Sequence, residues 1–314
     1  MNSRARIYVA GRTTFVGGAL ARRLEATGFT GIVPDDPDVT DRASVERFFE
    51  RTRPEYVFVA GGATAGIEGN QRFPADLMTD NLLVVSSLIP AAWRGGVRKL
   101  QYLASSCIYP RVAPQPLQAS SLWSGPLEPT SAAYGVAKLA GVTLCDAYRR
   151  QHRAPFFSAI AADVYGPGDD FTAERSHVVG ALVRRIHEAK CSNAPSVEVW
   201  GSGEPRREFV YVDDLADASI FAMQHYDGDA PINLGTGIYT RIADLAVLIR
   251  EVVGYRGELR YDRTRPDGMP FKGLDSTTLR DMGWTPAWTL RDGLRRTYDS
   301  FLAQSQPASY GGSA

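Results

Sequence analysis

Tyr134 and Lys138 stand four residues apart at the beginning of a stretch with helical spacing, residues 134–151. Side chains four residues apart lie on the same face of an α-helix. Because an ammonium group beside a phenol favours the phenolate, we expect Lys138 to lower the pKa of Tyr134. The pair therefore predicts a tyrosine that exchanges a proton near neutral pH.

Two serines and a cysteine, Ser105, Ser106 and Cys107, directly follow the apolar run 100–104. A short apolar run of this kind is typical of a buried strand. In parallel sheets, ligands bind at the carboxyl ends of the strands. A serine hydroxyl at this position can hydrogen-bond the same substrate oxygen as Tyr134, and the sequence leaves open whether Ser105 or Ser106 does so.

A nucleotide-binding turn is indicated near the N-terminus, between a strand-like run at 7–10 and a helical stretch. Glycines in such a turn let the backbone approach a pyrophosphate at a helix N-terminus. Thr14 occupies the middle position of the usual Gly-x-x-Gly-x-x-Gly pattern. The predicted cofactor-binding residues of the turn are Gly11, Arg12, Thr13, Thr14, Phe15, Val16 and Gly17.

The sequence gives two conflicting indications of the cofactor. Arg12 lies in the turn and suits the ribose phosphate of NADP, whereas Asp35 and Asp36 follow the second predicted strand and suit the free ribose hydroxyl of NAD. Both cofactors stay open on these residues.

The elements that must position these groups alternate between short apolar runs and longer helical stretches. The predicted strands are 7–10, 31–33, 56–60, 100–104 and 157–161. This alternation predicts a Rossmann-like α/β fold, a doubly wound parallel sheet, followed by a smaller mixed α/β substrate domain. We expect residues 1–165 to form mainly the dinucleotide-binding domain, 166–304 mainly the substrate domain, with the chain free to cross back, and 305–314 a flexible tail.

Composition excludes several classes of function. The 314 residues include 35 Lys and Arg against 35 Asp and Glu. The formal net charge is therefore zero, and the protein has no overall charge that would attract nucleic acid or a membrane surface. The three cysteines are far apart and lack metal-ligand spacing, and no apolar run approaches the roughly 18 residues of a membrane span. We expect a cytoplasmic protein without a metal site.

Motifs along nearly the whole chain resemble the GDP-L-fucose synthase family, the epimerase/reductases among the extended short-chain dehydrogenase/reductases. They are Ser105-Ser-Cys-Ile-Tyr-Pro110, Gly125-Pro-Leu-Glu-Pro-Thr130, Tyr134–Lys138 with Ala140-Gly141, Ser176-His177-Val178, the segment 200–215, Asn233-Leu-Gly-Thr-Gly237, Pro266–Lys272 and Met282-Gly-Trp284. The resemblance implies NADP as the cofactor, with NAD as the alternative, a GDP-sugar substrate and a homodimer formed by two long helices beside the sheet.

The resemblance also implies residue roles. Cys107 and His177 match the family's acid/base pair. Modest changes in the surroundings bring the pKa of either type of side chain near the working pH. Tyr134 and Lys138 match the residues that protonate the substrate oxygen and hold the cofactor ribose. The family's diphosphate-binding positions correspond to Arg185, Arg207 and Lys272. Trp200 suits either packing against the nucleotide base or a place in the core, and the sequence leaves both open.

The sequence departs from the family pattern in four segments: Thr14 in the turn, the short acidic segment around Asp35 and Asp36, the segment 60–64 (Ala-Gly-Gly-Ala-Thr), and Asp163 where the family has asparagine. The leading hypothesis is 3,5-epimerisation and 4-reduction of a GDP-4-keto-6-deoxy-mannose-like sugar. The alternatives are a keto-sugar epimerase without net redox and a catalytically silent nucleotide-binding protein on the same fold.

Overall fold

The computed structural model describes residues 1–305, so the predicted tail beyond residue 305 lies outside the described residues. Within them the chain forms two groups of strands. The strands are β1 (Ile7–Ala10), β2 (Tyr56–Val59), β3 (Lys99–Ser105), β4 (Phe156–Ala161), β5 (Asp163–Tyr165), β6 (Ser196–Trp200), β7 (Arg206–Tyr211), β8 (Ile232–Leu234), β9 (Tyr239–Arg241), β10 (Glu258–Asp262) and β11 (Phe271–Lys272).

The helices connect these strands. They are α1 (Phe15–Ala26), α2 (Arg42–Thr52), α3 (Ile67–Arg72), α4 (Pro74–Arg94), α5 (Ala132–His152), α6 (Val178–Cys191), α7 (Val212–His225), α8 (Ile242–Val253), α9 (Thr277–Asp281) and α10 (Leu290–Ser305). No helix within residues 1–305 is both long and apolar enough to cross a membrane.

The first sheet has the order β1-β2-β3-β4-β8, and all its strand pairs are parallel. Its strands are apolar on both faces, as a parallel sheet covered by helices requires. Helices α2, α4 and α5 pack together on one side, and α1 packs with α7. The predicted doubly wound α/β fold is confirmed.

The predicted strand at 31–33 is reduced to a single parallel bridge between Ile32 and Ile7. Pro34 follows at once and has no N–H to donate to a ladder, and Asp35 and Asp36 come next, so there is no further apolar residue to extend the strand. This short segment still turns the chain towards the cofactor loop.

The second group of strands is built around β7. Strands β5 and β11 pair with it in parallel and β9 in antiparallel, while β6 and β10 form a separate parallel pair. A second apolar cluster, which includes residues of α6, α8 and α10, packs here. The chain crosses back between the two groups, since α7 and β8 belong to the first core.

Candidate active site

The turn after β1 is closely packed against the backbone that follows β2. Gly11 has φ +80°, and a Cβ there would lie 2.5 Å from the Cα of Gly61. A Cβ on Gly17 would collide with the carbonyl oxygen of Gly11. The two glycines therefore leave a bare backbone at the N-terminus of α1, where a pyrophosphate would bind.

Thr14 explains why the middle glycine of the turn is dispensable. Its φ of −82° suits any residue, and its Oγ1 accepts a hydrogen bond from the Gly17 N–H at 3.2 Å as the N-cap of α1. The same hydroxyl donates to the Gly11 carbonyl at 2.7 Å, so Thr14 stabilises the turn.

The acidic segment separates its two aspartates. Asp36 Oδ1 accepts hydrogen bonds from the Tyr8 hydroxyl at 2.8 Å and from the Gly11 N–H at 3.3 Å. Asp35 instead pairs with Arg51 at 3.3 Å on the surface. Asp36, rather than the predicted Asp35, is thus the carboxylate beside the cofactor turn.

The guanidinium of Arg12 lies 3.3 Å from Glu25.

Tyr134 and Lys138 lie on one face of α5, and both are buried. The Lys138 Nζ lies 3.5 Å from the carbonyl oxygens of Gly61 and Leu103 and 5.8 Å from the Tyr134 ring centroid. Burial lowers the pKa of Lys138 to about 8.

The pKa of Tyr134 moves opposite to the expected direction. Burial raises it above its ordinary value, and the charge of Cys107 adds to this effect. Hydrogen bonds with the side chains of Thr64 and Ser105 act the other way. The desolvation of the phenolate outweighs the effect of these hydrogen bonds, so the phenol of Tyr134 holds its proton near neutral pH.

The two serines at the end of β3, Ser105 in the strand and Ser106 just after it, have different surroundings. Ser105 bonds Tyr134, and its Oγ accepts from the Cys107 N–H at 3.3 Å. Ser106 is buried, and its Oγ has no hydrogen-bond partner among the described residues. Ser105 is therefore the serine that shares a site with Tyr134.

Cys107 lies half-buried in the short helical turn after β3. The start of α5 approaches this turn closely: a Cβ on Gly135 would lie 2.8 Å from the Cys107 carbonyl oxygen. His177 is the N-cap residue of α6, and its Nε2 lies 3.4 Å from the Thr64 hydroxyl. Burial lowers the pKa of His177, and the charge of Asp163 opposes this.

Thr64 and Asp163 are functional candidates that the sequence did not single out as site residues. Thr64 contacts both Tyr134 and His177. Asp163 accepts a hydrogen bond from Lys272 at 2.6 Å and acts electrostatically on His177. Both lie in segments that depart from the family pattern, and that departure was the only signal in the sequence.

The four substrate-binding candidates form two groups. Arg207 and Lys272 pair side by side in β7 and β11, and both interact electrostatically with Cys107. Arg185 lies 3.5 Å from Glu198 and stacks on the ring of Trp200 at 5.3 Å. The structure thus brings Arg207 and Lys272 to Cys107, one of the two predicted acid/base residues, and places Arg185 with Trp200.

Comparison with known proteins identifies the family. The NAD dependent epimerase/dehydratase family matches residues 7–235. The chain belongs to this family.

Within it, the chain is similar to GDP-L-fucose synthase 1 of Arabidopsis thaliana, with 47% identity over 301 residues, 95% of this chain and 93% of that protein. This confirms the resemblance drawn from the motifs. Among solved structures, a GDP-6-OMe-4-keto-L-xylo-heptose reductase from Campylobacter jejuni has a TM-score of 0.90, 30% identity, and coverage of 97% and 99% of the two chains. A GDP-mannoheptose C4 reductase from the same organism, with NADP bound, has a TM-score of 0.86, 32% identity, and coverage of 96% and 99%.

Proposed function

We propose that this family member is a nucleotide-sugar 3,5-epimerase/4-reductase. It converts a GDP-4-keto-6-deoxy-mannose-like substrate to GDP-L-fucose or a related deoxy sugar. The observation that carries the proposal is that Cys107, Ser105 and Thr64 surround Tyr134 at the carboxyl end of β3, and that the Thr64 hydroxyl also lies 3.4 Å from the His177 Nε2. The similarity to GDP-L-fucose synthases and to GDP-sugar reductases supports it.

Epimerisation uses the acidity that the C4 ketone gives to the hydrogens on C3 and C5, because the carbanion delocalises as an enolate. Inversion requires a proton acceptor on one face of the sugar and a donor on the other. Cys107 and His177 take these roles. Thr64 orients the imidazole through Nε2, and the lowered pKa of His177 keeps much of it neutral near pH 7.

Reduction uses the tyrosine. Tyr134 gives its proton to the C4 oxygen, and Ser105 donates a hydrogen bond to the same oxygen as charge develops there. A bound nicotinamide cofactor supplies the hydride. The bare backbone of Gly11 and Gly17 fits its pyrophosphate, and Lys138 would hold its nicotinamide ribose.

The cofactor is NADPH, with NADH as the alternative. A similar structure contains NADP, whereas the carboxylate of Asp36 lies at the turn where an adenosine ribose would bind. The diphosphate of the substrate is neutralised by Arg207 and Lys272 on one side and by Arg185 on the other, where Trp200 stacks on the base.

The assembly is a cytoplasmic homodimer in this proposal. Helices α4 and α5 pack against each other beside the sheet, and Trp93 near the end of α4 is 39% exposed while its ring stacks on His152 at 4.0 Å. Sedimentation equilibrium would give twice the 34.3 kDa mass of the chain.

The test is incubation with GDP-4-keto-6-deoxy-mannose in D2O with NADPH, with NADH or with no cofactor. Nicotinamide absorbance reports reduction, and NMR reports deuterium at C3 and C5. We expect cofactor oxidation together with deuterium at both carbons. Deuterium without cofactor oxidation would instead establish an epimerase, and no change of either kind would exclude this substrate.

A further inference from the structure

Three strands bring a partly buried ion pair to the proposed acid/base residues. Lys272 at the end of β11 pairs in register with Arg207 of β7, and Asp163 at the beginning of β5 pairs with Phe209 of the same strand. The Lys272 Nζ and the Asp163 Oδ1 are 2.6 Å apart. The ion pair is therefore fixed by the strand register rather than by a flexible loop.

The pair is poorly solvated. The side chain of Lys272 is 11% exposed and that of Asp163 is 27% exposed. Burial disfavours the charged forms of both, yet the pKa of Lys272 stays above its ordinary value and that of Asp163 below, because each charge stabilises the other. Arg207 adds to the stabilisation of the Asp163 carboxylate. Without Asp163, the Lys272 ammonium would lose its ion-pair partner in a partly dry site.

We propose that Asp163 is a positioning residue of the proposed acid/base site: its carboxylate, 2.6 Å from the Lys272 Nζ, holds that ammonium next to Arg207 and within electrostatic reach of Cys107 and His177. This inference rests on the proposed function only in giving His177 a proton-transfer role. It also changes the expectation for Lys272, since an ammonium already neutralised by Asp163 has less charge to offer a diphosphate.

The charges that act on His177 come from several elements. Asp163 from β5 and Asp170 from the loop before α6 favour its protonated form, and Lys272 from β11 disfavours it. The Thr64 hydroxyl is its polar neighbour at 3.4 Å. Removing Asp163 or Lys272 should therefore shift the protonation of His177 in opposite directions.

The experiment is an NMR titration of the histidine ring resonances. The chain has four histidines, and the resonance of His177 is assigned as the one lost in His177→Asn. In Asp163→Asn we expect the midpoint of His177 to lie about one pH unit lower than in the wild type. In Lys272→Met we expect it to lie higher, and Lys272→Arg should restore the wild-type midpoint because it keeps the charge.

The matched control is Asp227→Asn, which removes the carboxylate of another Asp–Lys pair, 2.9 Å from Lys99 and outside the site. It should leave the His177 midpoint unchanged. If Asp163→Asn fails to fold, the two Lys272 variants still decide the question. An unchanged midpoint in both Asp163→Asn and Lys272→Met, or a shift of the same sign in both, would overturn the proposal.

Activity provides the second readout. In Asp163→Asn, the pH profile of deuterium exchange at C3 and C5 should move in the same direction as the His177 midpoint. The His177 titration could respond as expected while the protein exchanges no protons of a GDP-4-keto sugar. That result would support the electrostatic role of Asp163 and would overturn the proposed function.

Discussion

At the scale of single residues, one short segment contains most of the proposed catalytic groups. Ser105 ends β3, Cys107 lies in the short helical turn that follows, and the beginning of α5 places Tyr134 against them. The sequence could predict these residues because each lies in a local pattern: a serine-tipped strand, or a Tyr/Lys pair on one helix face. It could not predict Thr64 or Asp163, whose contacts with His177 and Lys272 form only when distant segments meet.

Separate residues should serve the two half-reactions. Cys107→Ser and His177→Asn should lower deuterium incorporation at C3 and C5 about 10²- to 10⁴-fold, because each removes a proton-transfer group. Tyr134→Phe should lower cofactor oxidation more than deuterium incorporation, since it removes the proton donor to the C4 oxygen. NMR and nicotinamide absorbance measure the two rates. Cys191→Ser, which changes an exposed cysteine, should affect neither; wild-type exchange in Cys107→Ser would contradict this division of roles.

Asp36 should tune the choice of cofactor. A carboxylate at the adenosine ribose repels a 2′-phosphate and accepts a hydrogen bond from a free hydroxyl. Asp36→Ala should therefore lower the ratio of the NADPH and NADH dissociation constants by roughly tenfold, equivalent to about 1.4 kcal/mol. Calorimetric titration measures both constants without turnover. Asp35→Ala is the matched control because Asp35 faces Arg51 on the surface. If Asp35→Ala changed the ratio and Asp36→Ala did not, the assignment of this role to Asp36 would be wrong.

At the scale of elements, the first sheet could be predicted better than the second. Strands β1 to β4 are apolar runs of four to seven residues with helices between them, which is a strong local pattern. Strands β5, β9 and β11 have only two or three residues. Such strands are defined by their pairing with β7 and not by their own composition. The ion pair between Asp163 of β5 and Lys272 of β11 could therefore not be predicted from the sequence.

The turn before α1 should be intolerant of a side chain at Gly17. A methyl group there meets the carbonyl oxygen of Gly11, which already accepts a hydrogen bond from the Thr14 hydroxyl, while the Cα of Gly11 packs closely on Gly61. Gly17→Ala should weaken cofactor binding by more than about tenfold and lower the melting temperature, because the turn must open. Calorimetric titration and thermal unfolding measure these effects. In Gly125→Ala the new methyl group has ordinary contact at 3.6 Å, so both quantities should stay at wild-type values; equal losses in the two variants would refute the steric argument.

At the scale of the whole molecule, the loop between β5 and α6 makes stability depend on pH. It carries Asp169, which is 6% exposed. Its Oδ1 accepts from the Asp170 N–H at 2.8 Å, and its Oδ2 has no hydrogen-bond partner within residues 1–305. Burial raises the pKa of Asp169 to about 7. The folded protein thus contains a carboxyl group that is neutral below neutral pH and an unpaired buried charge above it.

The sign of the resulting pH dependence follows from this raised pKa. Between its unfolded value near 4 and about 7, Asp169 holds its proton in the folded state and loses it in the unfolded state. Its contribution therefore favours the folded state at low pH and is lost as pH rises through 7, by at most about 4 kcal/mol. Asp169→Asn removes the ionisation, so its free energy of unfolding should exceed that of the wild type at pH 8 by more than it does at pH 5. Urea unfolding at the two pH values measures this difference. The control is Asp299→Asn at an exposed position, whose free energy of unfolding should differ from that of the wild type by the same amount at both pH values. An effect of Asp169→Asn that does not depend on pH would show that the carboxyl group of Asp169 does not titrate in this range.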